Sequence, residues 1–73
     1  MTQTLGQRLK ELREGKGWTA TELSYQSRVT QHTIGRIEND RVTSPQMSIM
    51  ISLSEALGVT LESWIPYIKK QNQ

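Results

Sequence analysis

The sequence contains no cysteine and no cluster of metal-ligating residues. Disulfides and structural zinc are therefore excluded as staples, and no metal or cofactor is expected. No apolar run approaches the ~20 residues that a membrane span needs, so no membrane partner is expected. The first segment, MTQTLGQRLK, lacks the apolar stretch of a signal peptide. A soluble cytoplasmic protein is the expectation. Internal repeats, linkers and low-complexity segments are absent as well, and residues 1–73 read as one domain with a core of residues 5–66 and a tail over 67–73. A chain this short buries only ~60% of the surface its unfolded form exposes, so its core is small but feasible. The net charge is only +2, and the nine Lys and Arg residues are not gathered in one block. A broad polybasic field is not available for holding a nucleic acid, which leaves placed contacts, helix N-termini and dimerisation. The one histidine, His32, has no carboxylate, serine or cysteine beside it in a catalytic constellation. Nothing points to an enzyme or to a small-molecule ligand.

What the sequence does contain is helical periodicity broken by turn signals, which predicts an all-α fold of five short helices. Thr4 and Gln7 have capping-box spacing and open a first helix from Leu5 to about Gly15, with Leu5, Leu9 and Leu12 as its buried stripe. Gly15 and Gly17 stop it, and Trp18 plugs the core at the entry to the next helix. Thr19 and Glu22 form a second box ahead of a helix over Ala20 to Ser27, anchored by Leu23, with Ser24 small where helices cross. Arg28 and Val29 turn the chain. Thr30 then N-caps a third helix, Gln31 to Glu38, which turns Ile34 and Ile37 to the core. After a polar connector, Ser44 and Pro45 read as N-cap and first residue of a fourth helix that runs to about Leu57 and stops at Gly58. Met47, Met50, Leu53 and Leu57 form its core stripe, widened by Ile49, Ile51 and Ala56. Thr60 caps a short fifth helix carrying Leu61, Trp64 and Ile65 on one face, ended or kinked by Pro66.

Residues 19–39 organise the whole. They predict two short helices joined by a tight turn, with Gln31, His32, Gly35 and Arg36 opposite the buried side of the second. Amide, imidazole and guanidinium groups on one helix face suit base edges in a major groove. Gln31 can pair bidentately with adenine, Arg36 with guanine, and His32 can donate to guanine. Thr33 fits a thymine methyl or a phosphate. The outward amides at the start of the second helix, near Thr19, make a phosphate seat. Gly35 admits two readings: closer approach of the helix to the groove floor, or a tolerated surface glycine costing ~1 kcal/mol of helix stability. One small domain offers few base contacts, so a homodimer on a palindromic site is expected. Leu61, Trp64, Ile65 and Tyr67 are its candidate surface, with Ile49 or Ile51 contributing. Trp64 fits equally well as a cap on the monomer's own core.

The segments LGQRLKELR at residues 5–13, the Thr19–Glu38 unit and ALGVTL at residues 56–61 resemble, in this order and spacing, the Cro and phage-repressor (XRE) class of helix-turn-helix proteins. The resemblance implies a compact lambda-repressor-like fold that binds double-stranded DNA as a transcription regulator. It implies base-reading roles for Gln31, His32, Gly35 and Arg36. It implies backbone contacts at Thr30, at Asn39, and near Ser44 and Gln46, and it makes Arg13 and Glu38 an ion pair tying the first helix to the third. Periodicity alone places both of those charges in solvent. Three residues depart from the family pattern. Ala20 replaces a phosphate-gripping glutamine, leaving Thr21 or the bare helix end to substitute. Arg28 replaces the turn glycine and becomes a candidate phosphate contact, as does Arg41 beyond the third helix. Asp40 replaces a loop glycine and puts a negative charge where phosphate should pass. A second class stays open: a protein-interaction module that uses the apolar fourth and fifth helices.

Overall fold

Three threonines start the first three helices by the same device. In the computed structural model, which describes residues 3–68, Thr4, Thr19 and Thr30 sit in extended backbone and precede α1 (Leu5–Gly15), α2 (Ala20–Ser27) and α3 (Gln31–Glu38). Each hydroxyl accepts from the backbone N–H three residues on: Gln7 at 3.1 Å, Glu22 at 3.1 Å and Thr33 at 3.2 Å. This satisfies one of the amides that every helix start leaves without a partner. Only the first cap is a complete box, with the Thr4 N–H donating to Gln7 Oε1 at 2.9 Å. In the second, the Glu22 carboxylate instead accepts from Gln26 Nε2 at 2.7 Å.

The helices end in left-handed residues. Gly17 does this after α1, Arg28 after α2 and Asp40 after α3, with φ of 75°, 63° and 61°. At Asp40 the turn closes with the Arg41 N–H donating to Arg36 O at 2.8 Å and the Asp40 N–H to Ile37 O at 3.1 Å. Those two bonds define a Schellman turn, normally built on glycine.

The fourth helix begins later than its sequence signals. α4 spans Met47–Leu57, and its N-cap is Gln46, which makes no side-chain capping bond. Ser44, in a bend, and Pro45 lie ahead of the helix. Gln46 keeps ψ at 149°, which is not helical, and the half-buried Pro45 lines an apolar groove with Met50 and Trp64 instead of opening the helix. The stripe is also shorter than expected: Met50, Leu53 and Leu57 are buried, but Met47, in the first turn, is 62% exposed. The last element, Leu61–Tyr67, is a 3₁₀ helix with Pro66 inside it. Proline has no N–H to give an α-helical bond and its ring clashes with the carbonyl four residues back. The Ser63 N–H reaches Thr60 O, three residues back, at 3.1 Å, the spacing of a 3₁₀ turn.

α3 packs between α1 and α2, α4 packs on α2, and the 3₁₀ helix closes against α1 and α4. Leu5, Leu9, Leu23, Val29, Ile34, Ile37, Met50, Leu53, Leu57 and Trp64 form the core. Fully burying each of the Leu and Ile side chains contributes roughly 1.5–3 kcal/mol. Trp64 is 1% exposed, which removes it from any surface between protomers. Its indole N–H donates to Ser54 Oγ, and Ser54 in turn donates to Met50 O at 2.7 Å. That chain satisfies the one polar atom of a large apolar side chain. Among the described residues no helix is long and apolar enough to cross a membrane.

Candidate nucleic-acid interface

α3 carries two faces set by its 3.6-residue period. Ile34 and Ile37 are buried, while Gln31, His32 and Arg36 are exposed on the other side. Gly35 lies among them, and a Cβ built there meets nothing within 4 Å. Packing therefore does not require glycine at this position.

The rotation of α3 about its axis is fixed from α1. Arg13 Nε donates to Glu38 Oε2 at 2.8 Å, and Nη2 to Glu38 Oε1 at 3.1 Å. Nη1 donates to the Trp18 carbonyl at 2.9 Å. One guanidinium thus joins α1, the α1–α2 link and α3. The two side chains are only 11% and 10% exposed, so water screens the pair little. The hydrogen bonds that Arg13 donates to Glu38 raise the Arg13 pKa above its ordinary value, against the desolvation that opposes it.

Pairing sorts the other charges. Arg8 is held by Glu11 at 2.7 Å and lies 5.7 Å from the centre of the Tyr67 ring. The Arg8 bond, helped by Gln3, holds the Glu11 carboxyl below the usual range. Among the described residues, the ion pairs use Arg8 and Arg13 and leave Lys10, Lys16 and three exposed arginines, Arg28, Arg36 and Arg41, unpaired. These three precede α3, end it and follow it. The unpaired arginines therefore flank α3, although the sequence spreads its basic residues widely.

Asp40 lies at the end of α3 that meets α1. Its Oδ1 lies beside Gly6, in the first turn of α1, 2.9 Å from where a Cβ would stand. That helix end carries partial positive charge and has no acidic residue of its own, so the carboxylate complements it from across the fold.

The hydroxyls around α3 are unequal. Thr30 Oγ1 accepts from the Thr33 N–H and donates to Thr33 Oγ1 at 2.9 Å, which uses its proton internally. Thr33 itself is half-buried. Beside it runs a groove of about 310 Å³ bounded by Arg28, Thr33, Ser48 and Ser52. The serines were not singled out in the sequence. Their four-residue spacing puts them on one face of α4, which is the signal that finds them. Thr19 and Thr21 are exposed at the start of α2, and Asn39, Ser44 and Gln46 are exposed beyond α3.

The apolar face expected between protomers is only partly as anticipated. Leu61 and Ile65 are exposed, the latter by 57%, and with Met47 they line a groove of about 370 Å³. Tyr67 and Ile49 are half-buried against the core, and Ile51 is exposed.

A helix-turn-helix domain model matches residues 4–63. The chain belongs to the helix-turn-helix domain family. Within that family it is of the XRE, lambda-repressor-like kind, the DNA-binding fold of transcription regulators such as SinR. No curated protein matches the chain. Among solved structures, this helix-turn-helix domain is similar to the master regulator for biofilm formation SinR in complex with DNA, at 27% identity and a TM-score of 0.81, over 85% of this chain and 98% of that one. The N-terminal DNA-binding domain of SinR from Bacillus subtilis is similar at 25% identity and a TM-score of 0.80, over 94% and 96%. SinR in its complex with SinI is similar at 27% identity and a TM-score of 0.80, over 85% of this domain and 60% of that chain.

Proposed function

We propose that this domain binds double-stranded DNA sequence-specifically as a transcriptional regulator, with α3 in the major groove and two copies on a palindromic site. The observation that carries this reading is the exposed Gln31, His32 and Arg36 face on a helix whose back is buried and whose rotation is held by Arg13 and Glu38. Gln31 reads adenine and Arg36 reads guanine, each bidentately, and each such pair discriminates by ~1–3 kcal/mol. His32 donates to guanine, and Gly35 leaves the helix room to approach. Thr33, Arg28, Arg41 and the amides at the starts of α2 and α4 hold phosphates. The Thr30 hydroxyl acts through Thr33. Asn39, Ser44 and Gln46 complete the backbone contacts, with Thr19 and Thr21 in the place of the missing glutamine at Ala20. Half-sites one helical turn apart, ~34 Å, fit a two-fold dimer. Leu61 and Ile65 form its surface, joined by Met47.

SinR, a protein similar to this one, is described in complex with DNA, which supports the same ligand here. Selection from a random duplex library tests the reading. An enriched palindrome whose binding weakens steeply with salt supports it. Enrichment of nothing overturns it. The exposed apolar groove of Met47, Leu61 and Ile65 favours a second reading, a protein-interaction module. That module would show salt-insensitive binding to a protein partner and no phosphate-dependent binding to DNA.

A further inference from the structure

Gly6 lies in the first turn of α1 and is buried, with its Cα pressed against the last turn of α3. A Cβ built there would overlap the Ile37 carbonyl oxygen and stand 3.0 Å from the Glu38 carbonyl oxygen and 2.9 Å from Asp40 Oδ1. Two of these three neighbours are backbone atoms, so no side-chain rotation relieves the overlap. The Ile37 carbonyl also accepts from the Asp40 N–H at 3.1 Å, in the turn that ends α3. The contact is therefore with a hydrogen-bonded, left-handed turn that resists displacement. Gly35 and Gly15, by contrast, have nothing within 4 Å of their Cβ positions.

The same end of α3 carries the Arg13–Glu38 pair. α1 thus holds α3 twice: with its first turn through backbone contact at Gly6, and with its last through a side chain. The other end of α3 follows directly from the Arg28 turn. Between the two ends stand Gln31, His32 and Arg36.

We propose that Gly6 is a positioning residue for DNA reading: the missing side chain lets α1 seat the end of α3, which sets the aim of Gln31 and Arg36 into the groove. The inference rests on α3 being the reading helix. A methyl group at Gly6 must push the end of α3 outward until the overlap is relieved. Bidentate contacts tolerate about 0.5 Å or 10–20° of misplacement, so the relief moves the readers out of register. Contacts to phosphate by flexible arginines adapt to such a shift.

The test compares wild type, Gly6→Ala and Gly15→Ala. The probes are the duplex that wild type enriches from a random library and an unrelated duplex of equal length. Affinity for each, the salt dependence and the helical circular dichroism are measured well below the melting temperature. The expected result is that Gly6→Ala loses at least tenfold in the ratio of enriched to unrelated affinity. Its unrelated-duplex affinity and salt slope stay within about threefold of wild type, and Gly15→Ala leaves both affinities unchanged. A Gly6→Ala protein that is less stable but keeps the wild-type ratio overturns the inference and leaves the DNA-reading proposal standing. Failure of wild type to enrich any duplex strikes the DNA-reading proposal itself. If Gly6→Ala does not fold alone, the ratio is read for both proteins in trimethylamine N-oxide, which favours compact states. A variant that still does not fold overturns the inference too, because Gly6 is then a requirement of folding and not of aim.

Discussion

Arg13 approaches Glu38 side-on, with Nε and Nη2 each donating to a different carboxylate oxygen. Twenty-five residues of sequence separate the two, and the pair lies nearly out of water. Removing one partner leaves the other charge buried. Arg13→Ala or Glu38→Ala is expected to cost about 3–5 kcal/mol, read from urea unfolding. The double variant Arg13→Met, Glu38→Leu is expected to regain most of that stability while losing discrimination between duplexes. Wild-type discrimination in the double variant would show that the pair contributes stability alone.

Arg28 occupies a left-handed position that costs a side-chain-bearing residue about 1 kcal/mol relative to glycine. Arg28→Gly is expected to raise stability by about that amount in thermal unfolding. The same change should weaken binding to every duplex and reduce the salt slope by about one unit, as loss of one phosphate contact does. Unchanged DNA affinity would remove Arg28 from the contact surface.

At Gly35 the fold and the ligand make opposite demands. Alanine has room in the protein and favours the helix by about 0.8–1.0 kcal/mol. Gly35→Ala should therefore be more stable. It should bind the enriched duplex at least tenfold more weakly and an unrelated duplex normally. Equal affinity for the enriched duplex would make Gly35 an ordinary surface glycine.

The extent to which this fold is legible in the sequence follows from where each signal originates. α1, α2 and α3 begin and end where expected because threonine caps and left-handed stops act within a turn of the chain. The start of α4 depends on the distant surface that Pro45 meets, and the docking of the 3₁₀ helix on the one that Trp64 meets; Ser44 and Met47 give no local sign of the first. Gly6 is likewise invisible locally, since its neighbours lie in the turn after α3. The exposed face of α3 could be read from periodicity. The internal use of the Thr30 proton could not, because it needs the geometry of Thr33.

The Trp64–Ser54 hydrogen bond offers a test of that distant packing. Ser54→Ala leaves the indole N–H buried without an acceptor, at an expected cost of about 1–3 kcal/mol. Adding Trp64→Phe removes the orphaned donor, so the two losses should be less than additive in a double-mutant cycle. Strict additivity would show that the bond contributes nothing beyond the separate side chains.

Ile65 is exposed enough to carry a charge in the monomer. Ile65→Glu is expected to change monomer stability by no more than about 0.5 kcal/mol. Sedimentation should show the proposed dimer in wild type and its loss in the variant, with weaker binding to a full palindrome and unchanged binding to a half-site. Retention of the dimer would place its surface elsewhere.

The burial of Trp64 bears on the order of events during synthesis. The helix-turn-helix lies within residues 20–38, but the largest fully buried side chain belongs to the last described element. The reading unit therefore leaves the ribosome well before the residue that seals its core. Growing chains that have passed Glu38 but not reached Trp64 lack the 3₁₀ closure against α1 and α4. Folding of the domain therefore waits until the chain has grown past Trp64 and the 3₁₀ helix can close against α1 and α4.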